Sequence, residues 1–164
     1  MMQQVTVKVG MADMNIATDG ALIRTTGLGS CVGVTLYDSV AGIAGMAHIM
    51  LPSSEIAKES SFNVAKYADS AVPALIARME EAGASVKRMV AKLAGGAQMF
   101  AFASQSDTMR IGPRNIESCK HALQLTSIPI RAEDTGANYG RTIEMDSRTG
   151  ILTIRSVQFG IKEI

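Results

Sequence analysis

Cys31 and His48 are the two side chains of this 164-residue chain best suited to covalent chemistry. A thiol becomes a nucleophile when a base within hydrogen-bond reach takes its proton, and a third group usually orients the base. Cys31 follows Gly27-Leu28-Gly29-Ser30, a flexible turn. The backbone N–H groups of Gly29 and Ser30 in that turn could face the oxyanion of an acyl-transfer step. Thr25 lies six residues before Cys31 and could accept a hydrogen bond from the second imidazole nitrogen, fixing the tautomer. Two apolar runs, Cys31 to Tyr37 and Gly42 to Leu51, read as a hairpin joined by residues 38–41. If Tyr37 pairs with Gly42, every cross-strand pair sums to 79 and Cys31 stands opposite His48. A slip of one residue would put the two on opposite faces. From the residues alone, Cys31 reads equally well as a small buried apolar side chain. His48 likewise reads as a core histidine bonded to backbone, and Thr25 as an ordinary strand residue.

The remaining cysteine and histidine serve as internal controls. Cys119 falls on an apolar stripe with Ile116 and Leu123, which assigns it to the core, and His121 points to the polar side of the same helix. The spacing of the two cysteines and two histidines fits no compact zinc pattern. Gly27 to Val32 fails the last position of the dinucleotide G-x-G-x-x-G, and Ser30 lacks the G-x-S-x-G context of a hydrolase elbow. Gly95-Gly96 could cradle an anion or simply turn the chain, and the polar loop from Glu133 to Arg141 could line a site.

Strands are expected at Gln4 to Val9, Ala21 to Thr25, the two runs of the hairpin, Val86 to Ala94, Ile128 to Ala132, Arg141 to Met145 and Ile151 to Val157. The segment between Val9 and Ala21 reads as loop. Ala68, Val72, Leu75, Ile76 and Met79 recur at helical spacing before Gly83, with Pro73 near the first turn or at a kink. Gly112-Pro113 starts a second helix through Thr126. A polar surface loop is expected to Ser61, a short helical piece from Ala97 to Ala103, and loop from Ser104 to Ile111. The hairpin runs are apolar on both faces, which places them in a covered sheet. The sum is one α+β domain over residues 1–164, a layered α/β sandwich with a mixed, largely antiparallel sheet and two main helices.

Composition narrows the function. Hydrophobic residues make up 47% and the formal net charge is +1, which excludes a disordered chain and argues against a nucleic-acid partner. Two cysteines make no disulfide scaffold. Aromatics are 4% with no Trp, so the core must be aliphatic with 11 Met as fillers. The N-terminus lacks the features of a signal peptide and no apolar run reaches membrane-spanning length, so a cytoplasmic protein is expected.

The segments Thr25-Thr26-Gly27-Leu28-Gly29-Ser30-Cys31-Val32-Gly33-Val34 and Gly45-Met46-Ala47-His48-Ile49-Met50-Leu51-Pro52 resemble the CheD family of chemoreceptor glutamine deamidases. So do Lys66-Tyr67-Ala68-Asp69, Ala94 to Phe100, Ile111-Gly112-Pro113-Arg114-Asn115, and Glu133 to Arg141. The resemblance runs from about Val5 to Val157, with Ala137 where the family often has a second Gly. It implies a Cys–His–Thr triad matching Cys31 as nucleophile, His48 as base and Thr25 as orienting hydroxyl. The implied activity is hydrolysis of selected glutamine amides of methyl-accepting chemotaxis receptors, and of receptor methyl esters in some members. The implied fold is a layered α/β sandwich related to bacterial deamidase toxins. The implied partners are receptor cytoplasmic helices and the CheC phosphatase, which CheD stimulates and which restrains CheD. No metal or organic cofactor is expected, no direct membrane insertion, and a monomer when free. The alternatives are a non-enzymatic adaptor that docks on CheC or receptors, and a peptidase or transglutaminase-like enzyme using the same triad.

Overall fold

The computed structural model describes residues 4–56, 63–99 and 110–164. The expected loop to Ser61, the helical piece to Ala103 and the loop from Ser104 lie wholly or largely outside these residues.

Among the described residues, ten strands divide between two stacked sheets. In chain order they are β1 (Thr6–Val9), β2 (Met14–Ala17), β3 (Leu22–Leu28), β4 (Val32–Asp38), β5 (Ile43–Ile49), β6 (Val90–Gly95), β7 (Ile130–Thr135), β8 (Arg141–Asp146), β9 (Leu152–Ser156) and β10 (Gly160–Glu163). One sheet has the order β1-β3-β8-β9-β10 and the other β2-β5-β4-β6-β7. Among these strands only the β1–β3 and β6–β7 pairings are parallel. Helices α1 (Ala68–Glu81) and α2 (Ile111–Leu125) cover the outer face of the second sheet. The layered α+β architecture is therefore as expected, with two sheets and two main helices.

Side-chain alternation explains the layering. Val32, Val34 and Leu36 of β4, Ala47 and Ile49 of β5, and Ala91 and Leu93 of β6 pack against Val72, Leu75, Met79, Cys119 and Leu123 of the helices. The other face of the same sheet, with Tyr37, Ala44, Met46 and Ala94, packs against Ile23, Leu28, Ile143, Met145 and Ile154 of the first sheet. β4 and β5 are buried along their whole length. This accounts for their apolar character on both faces.

Three local differences from the sequence reading bear on the site. The hairpin pairs Asp38 with Ile43 and Gly33 with His48, so pairs sum to 81 and the register is two residues from the expected one. The turn starts one residue later because Asp38 caps it: its carboxylate accepts from the N–H groups of Val40 (3.0 Å) and Ala41 (3.1 Å). β3 runs past Thr25 to Leu28 through a bulge at Thr26-Gly27, where Gly27 has φ +72°. β2 forms inside the segment read as loop, by antiparallel pairing of Met14 to Ala17 with Ala47 to Ala44.

Asp38 is a structural anchor. It is fully buried and also accepts from the Ser85 N–H (2.9 Å) and the Arg88 guanidinium (3.0 and 3.1 Å), tying the hairpin turn to the chain entering β6. Burial alone would push its carboxyl up, but the hydrogen bonds from Arg88, Ser85 and Ala41 hold it at about 2. A depressed carboxyl pKa stabilises the fold above the unfolded value of 3.8, and that contribution is lost as pH falls toward 2. Asp38→Asn is expected to lower stability by about 2 kcal/mol at neutral pH, with the gap from wild type closing as pH falls below 3.8. Denaturant unfolding of both proteins across that range checks it.

Candidate functional site

The candidate site lies at one end of the layer between the sheets, where β3, β4 and β5 come together. Gly33 pairs with His48 across β4 and β5. Cys31, just before β4, is in phase with Gly33 and faces the same layer. The two-residue register difference keeps the face and makes Cys31 and His48 diagonal neighbours. Such pairs have Cα atoms roughly 7–8 Å apart, and in this structure His48 Nε2 makes no hydrogen bond to Cys31 or to any other described residue.

Gly33 lets the sheets close on this point. A Cβ there would meet Ile143 Cδ1 at 2.5 Å and Leu28 Cδ1 at 3.2 Å. Ile143 on β8 is the strand partner of Thr25 on β3. The missing side chain thus lets the first sheet bring Thr25 to His48. Thr25 Oγ1 lies 2.7 Å from His48 Nδ1 and 2.7 Å from the Val9 carbonyl. Thr25 and His48 are 1% and 0% exposed, so water does not substitute for either partner.

These two contacts fix the proton positions. A carbonyl only accepts, so the single hydroxyl proton of Thr25 goes to Val9. The hydroxyl oxygen then accepts from His48, which places a proton on Nδ1 and leaves Nε2 with a bare lone pair. Nε2 is buried and has no hydrogen-bond partner among the described residues. Thr25→Val removes the acceptor for Nδ1–H and the donor to Val9, whereas Thr25→Ser keeps both. Thr25→Val is expected to lose about 10- to 100-fold in kcat, part of the ~10²–10⁴ that a positioned base contributes, with Thr25→Ser near wild type. Steady-state kinetics of both variants checks this.

Burial sets the charge state. It pushes the Cys31 thiol up from its ordinary 9.0, opposed only in part by the residue's own backbone N–H. It pushes His48 down from 6.5. At neutral pH these two directions leave a neutral thiol and a neutral imidazole. Cys119, with no exposure, is pushed up to about 12 by burial and belongs to the helix-side core. His121 is exposed on α2.

The glycine turn is tightly tied. Gly29 N–H donates to Gly27 O (3.1 Å), so among the described residues the amides of this turn left to receive an oxyanion are those of Ser30 and Cys31. Gly95 and Gly96, with φ +104° and +67°, turn the chain behind Cys31, and Gly96 N–H donates to Cys31 O (2.8 Å). A Cβ on Gly95 would strike that same carbonyl. Gly95-Gly96 thus holds the cysteine, and the Gly96 amide is not available to an anion. The Glu133 to Arg141 segment is partly strand, and buried Arg141 is fixed by Asp134 (3.1 Å) and the Gly136 carbonyl (3.1 Å). Sequence reasoning gives Asn115 no role at the site, yet its Nδ2, reaching from α2, donates to Ser30 O (3.0 Å) and Met50 O (2.9 Å). The available signal is a polar residue one helical turn before Cys119, on a buried face. Among the described residues no group of three or more His, Cys, Asp or Glu comes together, and no helix is long and apolar enough to cross a membrane.

A thiol, an oriented imidazole with a bare nitrogen, and amides open to an anion in the same turn are the parts of a thiol-dependent acyl-transfer or amide-hydrolysing site. The family model described as CheD chemotactic sensory transduction matches residues 50–156. The chain is 58% identical over 158 residues to the chemoreceptor glutamine deamidase CheD of Halalkalibacterium halodurans, covering 96% of this chain and 98% of that protein. It is 49% identical over 162 residues to the chemoreceptor glutamine deamidase CheD of Bacillus subtilis, covering 99% and 98%. It is also 49% identical to the protein of that name in Bacillus licheniformis, covering 96% and 94%. The chain belongs to the CheD family.

Proposed function

We propose that this chain is a chemoreceptor glutamine deamidase, a cysteine-dependent protein-glutamine glutaminase acting on the cytoplasmic helices of methyl-accepting chemotaxis receptors. Membership of the CheD family supports the substrate. The observation that carries the mechanism is the chain of contacts from Val9 O through Thr25 to His48, which leaves Nε2 unprotonated on the face that Cys31 shares.

The chemistry follows from the neutral pair. His48 Nε2 takes the Cys31 proton as the sulfur attacks the side-chain carbonyl carbon of a glutamine. The oxyanion forms beside the Ser30 and Cys31 N–H groups. Collapse breaks the C–N bond, and protonated His48 gives its proton to the departing nitrogen, which leaves as ammonia. Water then attacks the thioester with His48 again as base. The C–S bond breaks, glutamate is released and the thiol is restored. No metal or organic cofactor takes part. A receptor methyl ester could follow the same course with methanol as leaving group. The protein works in the cytoplasm, is monomeric when free, and pairs with the CheC phosphatase, stimulating it and being restrained by it.

Ammonia release from a purified receptor cytoplasmic fragment tests the reading. The expected result is release by the wild-type protein in proportion to enzyme, with an intact receptor backbone. Absence of release, or cleavage of the fragment, would contradict it.

A further inference from the structure

We infer that Asn115 is a positioning residue for the acyl-transfer step, holding the Ser30–Cys31 peptide so that the Cys31 N–H faces the oxyanion. This rests on the deamidase reading above.

Asn115 is fully buried on α2, and its amide reaches both segments that carry the candidate pair. The β4–β5 ladder ends at Val32 and Ile49. Beyond it the strands part, and Met50 N–H donates instead to Lys66 O (2.9 Å). Where the next rung would stand, the Asn115 NH2 group bridges the Ser30 and Met50 carbonyls. Two acceptors fix the amide orientation, because the flipped form would set Oδ1 against two carbonyl oxygens.

The Ser30 C=O and the Cys31 N–H belong to one peptide plane. No cis peptide bond occurs among the described residues, so the two groups point in opposite directions. Anchoring the carbonyl on α2 turns the N–H away from the helix. The next carbonyl, that of Cys31, is anchored by Gly96, so the peptides on both sides of the Cys31 Cα are held.

Packing sets the reach of Asn115. A Cβ on Gly112 would meet the Ala97 and Gly96 carbonyls, and one on Gly96 would meet Ile116, so the start of α2 lies hard against the turn behind Cys31. Asn115 Oδ1 is itself buried with no partner among the described residues. A core position chosen for packing alone would hold an apolar side chain there, without the cost of an unpaired acceptor. What the asparagine supplies is its two donors.

The test compares wild type with Asn115→Ala on two reactions. Deamidation of a receptor cytoplasmic fragment needs an oxyanion donor. Alkylation by iodoacetamide forms the S–C bond and expels iodide with no oxyanion, so it reads the thiol and base alone. Asn115→Ala is expected to lower kcat about 10- to 100-fold, with KM and the rate of Cys31 alkylation within about twofold of wild type. Cys119 alkylation reports unfolding in the same samples. If it shows that Asn115→Ala has unfolded, Asn115→Ser takes its place, with the same split between kcat and alkylation expected. An unchanged kcat, or equal loss of deamidation and alkylation in a folded variant, would overturn the inference. Failure of the wild-type protein to deamidate would instead overturn the reading on which it rests.

Discussion

His48→Gln is expected to lower deamidation about 10²- to 10⁴-fold, the range a positioned general base contributes. Glutamine keeps a side chain of similar reach and an N–H that can still donate to Thr25, but it has no basic nitrogen at the position of Nε2. Cys31 would then have to ionise unaided, and burial holds its pKa above 9.0. The wild-type pH profile should carry the same signature. His48 must be unprotonated to act, and burial lowers its pKa, so the acid limb of kcat/KM lies below 6.5. The active pair holds one proton between Cys31 and His48. Its loss removes the acid that protonates the departing nitrogen, so the alkaline limb lies above 9.0. Stability responds in the same direction. A histidine with a lowered folded pKa supports the fold fully above 6.5, and this is lost as pH falls and the unfolded state takes up the proton. His48→Gln removes that dependence, which unfolding curves above and below pH 6.5 would detect.

Cys31→Ala is expected to remove covalent catalysis altogether. When one member of such a unit is lost, the remaining rate falls close to that set by binding and the oxyanion donors, a loss of about 10³-fold or more. The fold should survive. Cys31 is 8% exposed at the edge of the inter-sheet layer, and Ala94 and Ala44 already show that small side chains fit that layer. Cys31→Ala should therefore unfold within about 1–2 kcal/mol of wild type, as a small truncation in a partly solvated place does. A large loss of both stability and activity would assign Cys31 to the core, the other reading that its sequence allows.

Much of this site was legible because its signals are local. The Gly-rich turn, the apolar hairpin and the interval from Thr25 to Cys31 all fall between Thr25 and Leu51, and each constrains the next. The face shared by Cys31 and His48 could be read because a strand has period two. The register itself could not, because Asp38 caps the hairpin turn through side-chain hydrogen bonds that no alternation pattern records. β2 and β10 were missed for a related reason. Each has four residues and forms only by pairing with a partner distant in sequence or at an exposed edge. The contact from Thr25 to Val9 needs the parallel β1–β3 pairing, and the bridge from Asn115 needs α2 to pack on the turn behind Cys31. Both are products of tertiary structure, and spacing along the chain does not encode them.

The central claim is that Cys31 carries deamidation of a receptor. Intact-mass analysis of a receptor cytoplasmic fragment, incubated with wild-type protein or with Cys31→Ala, tests it most directly. Replacing an amide nitrogen by oxygen adds about one dalton per glutamine converted. The expected result is a stepwise gain of that size with the wild-type protein and an unchanged mass with Cys31→Ala. The same gain with a clean preparation of Cys31→Ala would contradict the account.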